Sequence, residues 1–237
     1  KDQEAEPILP ARKALLRLQF PAPLLMFEPW PTEQMEKFIQ LTGVATPIME
    51  ENINTDALMP TAWIINPGDD WGNGLFRNWR RDKEGLEISE FPLNQKRYQG
   101  SKILLAGKNF GCGSSREEAV WGLVDYGVRC VIAPSFGDIF YNSSFKNGLL
   151  PIILQEQVVS ALAQALAQAP APQLTVDLET LKIIATDGSI ISFELDDSRR
   201  IPLMSGMDDI SRTLVLKAKI DEFQRTDRAH RPWIYPK

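Results

Sequence analysis

Histidine and cysteine are nearly missing from this chain, whose 237 residues contain one His and two Cys. A structural zinc site takes four Cys or His ligands, and a catalytic one usually takes three protein ligands rich in His. An iron–sulfur cluster held by this chain alone would need about four thiolates, more than Cys112 and Cys130 supply. A Ser-His-Asp or Cys-His site would have to use His230, in the Pro- and Arg-rich tail HRPWIYPK. Any catalysis therefore runs without histidine or borrows groups from elsewhere.

A basic excess is missing too. Asp and Glu number 31 against 26 Lys and Arg, for a formal net charge of −5. Nucleic-acid binders usually show a basic patch or stripe, so no nucleic-acid partner is expected. No stretch approaches 18 apolar residues in a row, so no membrane partner is expected either. With 43% apolar and 24% charged residues the composition is that of an ordinary globular chain.

The first 34 residues lack glycine altogether and hold six of the 17 prolines (Pro7, Pro10, Pro21, Pro23, Pro29, Pro31). The run LLRLQF is broken by PAP and has no small-residue cleavage site, which argues against a secretory signal. Asp2, Glu4 and Glu6 are unusual for a transit peptide, although that reading stays open. Residues 1–34 are expected to be a poorly ordered extension, Met35 an internal start, and residues 35–237 a single domain. The expected location is cytoplasmic, or an organellar stroma if 1–34 is a transit segment.

From Met35 the pattern is α/β. KILLAG (102–107), RCVIAPS (129–135) and LLPIIL (149–154) are short apolar runs of the buried-strand kind. REEAVWGLVDYG and GDIFYNSSFKNG place apolar residues at helical spacing and close on Gly127 and Gly148. Strand–helix–strand–helix–strand predicts a parallel sheet. An amphipathic helix follows over 155–169; LTVDL, KIIAT and SIISFEL read as strands with a hairpin turn at 186–189, and 207–223 reads as one final helix. Segment 66–97 is long, polar and aromatic-bearing, without a clean period.

The most informative stretch runs from Gly107 to Glu117, after a predicted strand and at the start of a predicted helix. Gly111 and Gly113 allow positive φ and a close ligand approach. Ser114 and Ser115 fall where helical N–H groups are unpaired and attract anions, and Arg116 can hold a carboxylate with two parallel hydrogen bonds. The same residues also fit a structural role, because Ser114 with Glu117, or Ser115 with Glu118, has capping-box spacing. The stretch is neither a Walker loop nor G-x-G-x-x-G.

NFGCGSSREEAVWGLVDYGVRCVIAPSFGDIFYNSSFKNGLLPI resembles the small subunits of 3-isopropylmalate dehydratase, the swivel domain of the aconitase superfamily. ENINTDALMP matches that family's N-x-x-T-D segment, LFRNWR its following loop, and DDSRRIPLMSGMDDISRTL its Arg-Arg and final-helix region. The resemblance covers about residues 37–220 and implies an aconitase-type swivelling β/β/α domain, with a parallel or mixed sheet and flanking helices.

It further implies a hydro-lyase, active only with a large subunit, that interconverts 2- and 3-isopropylmalate in leucine biosynthesis. Ser114 would be the base, in a site that stabilises its anion, and Asp56 would position active-site groups. Ser115, Arg116, Gly113 and Thr55 would bind the substrate, with Asn54 and Thr55 shaping the turn. A [4Fe-4S] cluster would sit on three Cys of the large subunit, leaving Cys112 and Cys130 as packing residues and no metal on this chain.

Where members often carry Lys or Arg after T-D, this chain has Thr61. Arg77, Arg80 and Arg81 are expected to be a solvated basic edge, and Trp63, Trp71 and Trp79 to pack the loop against the large subunit. Arg199 and Arg200 read as surface or interface charges. The alternatives are a homoaconitase, citraconate or dimethylmalate hydratase subunit, or a non-catalytic anion-binding domain.

Overall fold

In the computed structural model, residues 35–65 and 70–235 are described. The extension 1–34 lies outside them. The frame is a seven-stranded sheet in the order β4-β3-β2-β1-β5-β6-β7. Its pivot is β1 (Gln40–Ile48), nine residues long. Residues 45–48 of β1 pair in parallel with β2 (Ile103–Ala106), and residues 40–44 pair antiparallel with β5 (Gln173–Asp177). One strand thus joins a parallel half, continued by β3 (Cys130–Ala133) and β4 (Leu150–Ile153), to an antiparallel half. The antiparallel half is completed by β6 (Lys182–Ile184) and β7 (Ile190–Ser192).

Every residue of β2 and β3 is buried, as strands covered on both faces must be. Side chains alternate between two cores with period two. Ile103, Leu105, Cys130 and Ile132 face α7 (Glu156–Gln168), which inserts Val159, Leu162 and Leu166. Leu104, Ala106, Val131 and Ala133 face the opposite core, shared with α1 (Thr55–Leu58) and α5 (Glu118–Tyr126). Phe140 of α6 (Asp138–Lys146) completes that second core.

The expected apolar strands, the helices α5, α6 and α7, and the three-stranded tail are all present. Strand β1 had no counterpart in the sequence pattern, because Gly43 and Pro47 break its alternation. Segment 66–97 is less irregular than its composition suggests: among its described residues it forms α2's successor helices α3 (Trp71–Gly74) and α4 (Arg77–Arg80), then two 3-10 turns, with α2 spanning Thr61–Ile65 before it.

Arg80 holds this segment together and is not a solvated basic residue. It is buried, its Nη1 donates to the Gly72 and Leu75 carbonyls at 3.1 and 3.2 Å, and its guanidinium lies 4.8 Å from the Tyr126 ring centre. Burial lowers its pKa from the usual arginine value. Arg81 bonds Glu87 and the Gly85 carbonyl, and Arg77 lies over Trp63. The tryptophans pack within the chain: Trp79 stacks on Phe76, Trp71 meets Trp121 edge-on, and a Cβ at Gly74 would strike Trp63 at 2.3 Å.

Near the C-terminus, α8 (Asp197–Ser205) precedes two helices where one was expected. They are α9 (Asp209–Val215), capped by Asp208 accepting from Ser211 N–H at 2.6 Å, and α10 (Lys217–His230), with Leu216 between them. The cap holds the Asp208 carboxyl below its ordinary pKa through the Ser211 hydrogen bonds. Arg199 lies over the Tyr141 and Phe145 rings and donates to Asn142, while Arg200 pairs with Asp197.

Candidate active site

The loops leaving the carboxyl ends of β1, β2 and β3 meet at one place, where open α/β sheets bind ligands. They are laced together by backbone bonds. Gly111 N–H donates to the Ile53 carbonyl at 2.7 Å, Thr55 N–H to the Cys112 carbonyl at 2.9 Å, and Gly137 N–H to the Phe110 carbonyl at 2.9 Å. Gly111 adopts φ +71°, and a Cβ there would meet Phe140 Cγ at 2.2 Å, so the loop tolerates no side chain. Gly113 adopts φ +99°. The positive φ expected at both glycines is therefore present.

The hydroxyls stand ahead of the helix, not on it. Helix α5 begins at Glu118, and its cap residue Glu117 makes no side-chain capping bond. Neither expected capping box, Ser114 with Glu117 or Ser115 with Glu118, forms among the described residues. Glu117 Oε1 accepts instead from Asn147 Nδ2 at 2.8 Å, and Ser114 Oγ lies 3.0 Å from Thr55 Oγ1. Thr55 Oγ1 also bonds the Ser114 carbonyl at 3.1 Å. Asn54 caps α1 by accepting from Ala57 N–H at 2.8 Å, which aims buried Thr55 at the loop.

Arg116 Nη1 pairs with Asp56 Oδ1 and also bonds the Met59 carbonyl at 3.3 Å. Thr61 Oγ1 reaches the same Asp56 oxygen at 3.4 Å. A cleft of about 400 Å³ has Thr55, Ser114, Ser115 and Arg116 on one wall. Asp56 reaches this cleft through its ion pair with Arg116, while Gly113 is exposed in the loop beside Asn54 and Thr55. The opposite wall is α6, through Ile139, Phe140, Asn142, Ser143 and Lys146. That wall was missed in the sequence. Its signal is the spacing 139, 142, 143, 146, which is one face of a helix. A larger cavity of about 550 Å³ lies across α6, lined by Met35, Arg199 and Arg212 among others. It contains none of the glycine-rich loop, so the smaller cleft is the candidate site.

Two thiols do not make a cluster site. Cys130 is fully buried in β3, where desolvation pushes its pKa well above the ordinary thiol range. Cys112 Sγ turns to the Asn52 carbonyl at 3.5 Å. His230 sits on α10 with Nδ1 2.8 Å from the Thr226 carbonyl and does not line the cleft. Among the described residues no helix is long and apolar enough to cross a membrane.

A glycine-rich loop carrying serine hydroxyls and an arginine, at the carboxyl ends of parallel strands on a mixed sheet, belongs with a swivel domain of the aconitase class. The family model of the aconitase C-terminal domain matches residues 35–157, and the model described as LeuD_N matches residues 154–197. The 3-isopropylmalate dehydratase small subunit of Rhodospirillum centenum is 48% identical over 84% of this chain and 98% of its own length. That of Sinorhizobium medicae is 46% identical over 84% of this chain and 100% of its own. The crystal structure of 3-isopropylmalate dehydratase (leuD) from Methanocaldococcus jannaschii is similar with a TM-score of 0.56 and 26% identity, covering 76% of this chain and 99% of that one. The chain belongs to the 3-isopropylmalate dehydratase small-subunit family.

Proposed function

We propose that this chain is the small subunit of a two-subunit hydro-lyase that interconverts 2- and 3-isopropylmalate by dehydration and rehydration, a step of leucine biosynthesis. The observation that carries the reading is the joining of Thr55, Ser114 and Arg116 in one cleft, with Asp56 paired to the arginine. Family membership supports the substrate and the large-subunit partner, since the relatives are named small subunits of that enzyme.

In this reading Ser114 removes the proton from the substrate carbon beside a carboxylate. To act as that base Ser114 first gives up its own hydroxyl proton to solvent, and Thr55 Oγ1, 3.0 Å away, can then turn its proton from the Ser114 carbonyl to the serine oxygen and stabilise the anion. Ser115 and Arg116 hold the adjacent carboxylate, Asp56 sets the guanidinium, and Gly113 leaves room for the ligand.

The complex carries an iron–sulfur cluster in this family, and we place it on the large subunit. The buried position of Cys130 supports that placement, because one accessible thiol is no cluster ligand set. The bacterial relatives support a cytoplasmic location.

The test is anaerobic co-expression with a candidate large subunit and an assay on 2-isopropylmalate and on homocitrate-type acids. Turnover of 2-isopropylmalate is expected, with Ser114→Ala losing about 100- to 10,000-fold in kcat, the range for a positioned acid–base group. No turnover of isopropylmalate by the wild-type complex would sink the assignment.

A further inference from the structure

We infer that Asn147, at the end of α6, is a positioning residue for the site: by holding the Glu117 carboxylate it fixes the downstream end of the segment that carries Ser114, Ser115 and Arg116. The inference rests on the reading above, in which Ser115 and Arg116 hold a substrate carboxylate.

That segment has little backbone support. Residues 113–117 lie between Cys112, whose carbonyl accepts from Thr55 N–H, and Glu118, the first residue of α5. Among the described residues no backbone hydrogen bond joins them to a strand or to another loop, and Arg116 N–H turns back to the Ser114 carbonyl at 2.9 Å. Side chains therefore decide where the segment stands. Thr55 Oγ1 meets Ser114 Oγ at 3.0 Å, Asp56 pairs with Arg116, and Asn147 Nδ2 donates to Glu117 Oε1 at 2.8 Å. The first two tethers come from α1. The third comes from the helix of the opposite wall.

Asn147 is the fixed partner in that bond. Its Nδ2 also donates to the Ser143 carbonyl at 2.9 Å, and its Oδ1 accepts from Trp121 Nε1 at 3.0 Å. A flipped amide would set its oxygen against both the Glu117 carboxylate and the Ser143 carbonyl, so only one orientation satisfies all three bonds. Helix α6 is itself anchored through buried Phe140 and Ser144, with Ser144 Oγ donating to the Phe140 carbonyl at 2.7 Å. Trp121 belongs to α5 and meets Trp71 edge-on. One amide thus joins α6 to α5 and holds the residue next to Arg116.

The tether lies wholly within this chain, so its effect is read in the complete complex, with every group of the large subunit in place. Glu117 adjoins Arg116, whereas Ser114 keeps its own tether to Thr55. Loosening Glu117 therefore acts on substrate binding more than on the chemical step.

The experiment is steady-state kinetics of the reconstituted complex on 2-isopropylmalate, with Asn147→Asp, Glu117→Gln and the double variant. Asn147→Asp keeps the shape and the acceptor for Trp121 but sets a carboxylate against Glu117. Its KM is expected to rise about three- to tenfold, the range for one net hydrogen bond, and by more than any fall in kcat. Glu117→Gln keeps an acceptor for Asn147, though a weaker one than a carboxylate, and should give a smaller rise. In the double variant the new amide donates to the new carboxylate, reversing the polarity of the bond. Its KM should return most of the way to the wild-type value.

A residue that only stabilises α6 would lower the melting temperature and the amount of active complex while leaving KM alone. An active wild-type complex whose KM is untouched by Asn147→Asp therefore overturns the inference and leaves the functional reading standing. A double variant no better than Asn147→Asp also overturns it. So does a Glu117→Gln rise as large as that of Asn147→Asp, which would place Glu117 against the substrate. An inactive wild-type complex sinks both readings.

Discussion

Thr55 Oγ1 and Ser114 Oγ lie 3.0 Å apart although 59 positions separate them in the chain. Thr55 is buried and is placed by the Asn54 cap, so the contact arises from two loops locked together before any ligand arrives. Thr55→Val keeps the shape of the side chain and removes its hydroxyl. Its kcat on 2-isopropylmalate is expected to fall about tenfold, equivalent to about 1.4 kcal/mol of barrier. A kcat equal to that of the wild type would show that Ser114 needs no such partner.

Asp56 and Arg116 form the second pair. Asp56→Asn removes the charge that engages the guanidinium, whereas Arg116→Gln removes the guanidinium proposed to hold the substrate carboxylate. Arg116→Gln is expected to weaken kcat/KM by about 10- to 100-fold, the value of a charged hydrogen bond, and Asp56→Asn by less. Equal losses in both, measured side by side, would mean that Asp56 touches the substrate directly.

Arg80 predicts a stability effect and no direct chemical one. Arg80→Leu leaves the Gly72 and Leu75 carbonyls and the Asn94 side chain without their donor. Unpaired buried groups cost about 1–3 kcal/mol. The urea midpoint should fall accordingly, with an unchanged slope. Retained wild-type stability would contradict the burial of this guanidinium.

The cysteines separate by access. Cys112 is half-buried and Cys130 fully buried, with its thiolate disfavoured by desolvation. Mass spectrometry of the isolated chain after iodoacetamide at neutral pH should find Cys112 modified and Cys130 intact, and both modified after denaturation. Prompt native labelling of Cys130 would contradict the packing of β3.

Much of this protein is written locally. The fully buried strands β2 and β3 are four-residue apolar runs, and α7 carries its core residues at helical spacing, so both follow from periodicity. The site loop was legible for a similar reason. Gly111 and Gly113 permit a backbone that few other residues adopt, and serines and an arginine beside them have a short range of uses.

What lay beyond the sequence depends on distant partners. Strand β1 was hidden because Gly43 and Pro47 spoil its pattern, and it is held as a strand by β2 on one side and β5 on the other. The same dependence moved the start of α5 past the serines. Ser114 finds a better partner in Thr55 than in the first helical turn, and Glu117 finds one in Asn147. Arg80, the last residue of α4, turned inward because backbone carbonyls and an aromatic ring were waiting for it.

Local backbone freedom and hydrophobic period are properties of neighbouring residues, and the sequence determined them alone. The facing of α6 toward the serine loop, and with it the two-walled cleft, was decided only by tertiary structure, since a hydrogen bond or an ion pair between distant residues exists only after the chain has closed.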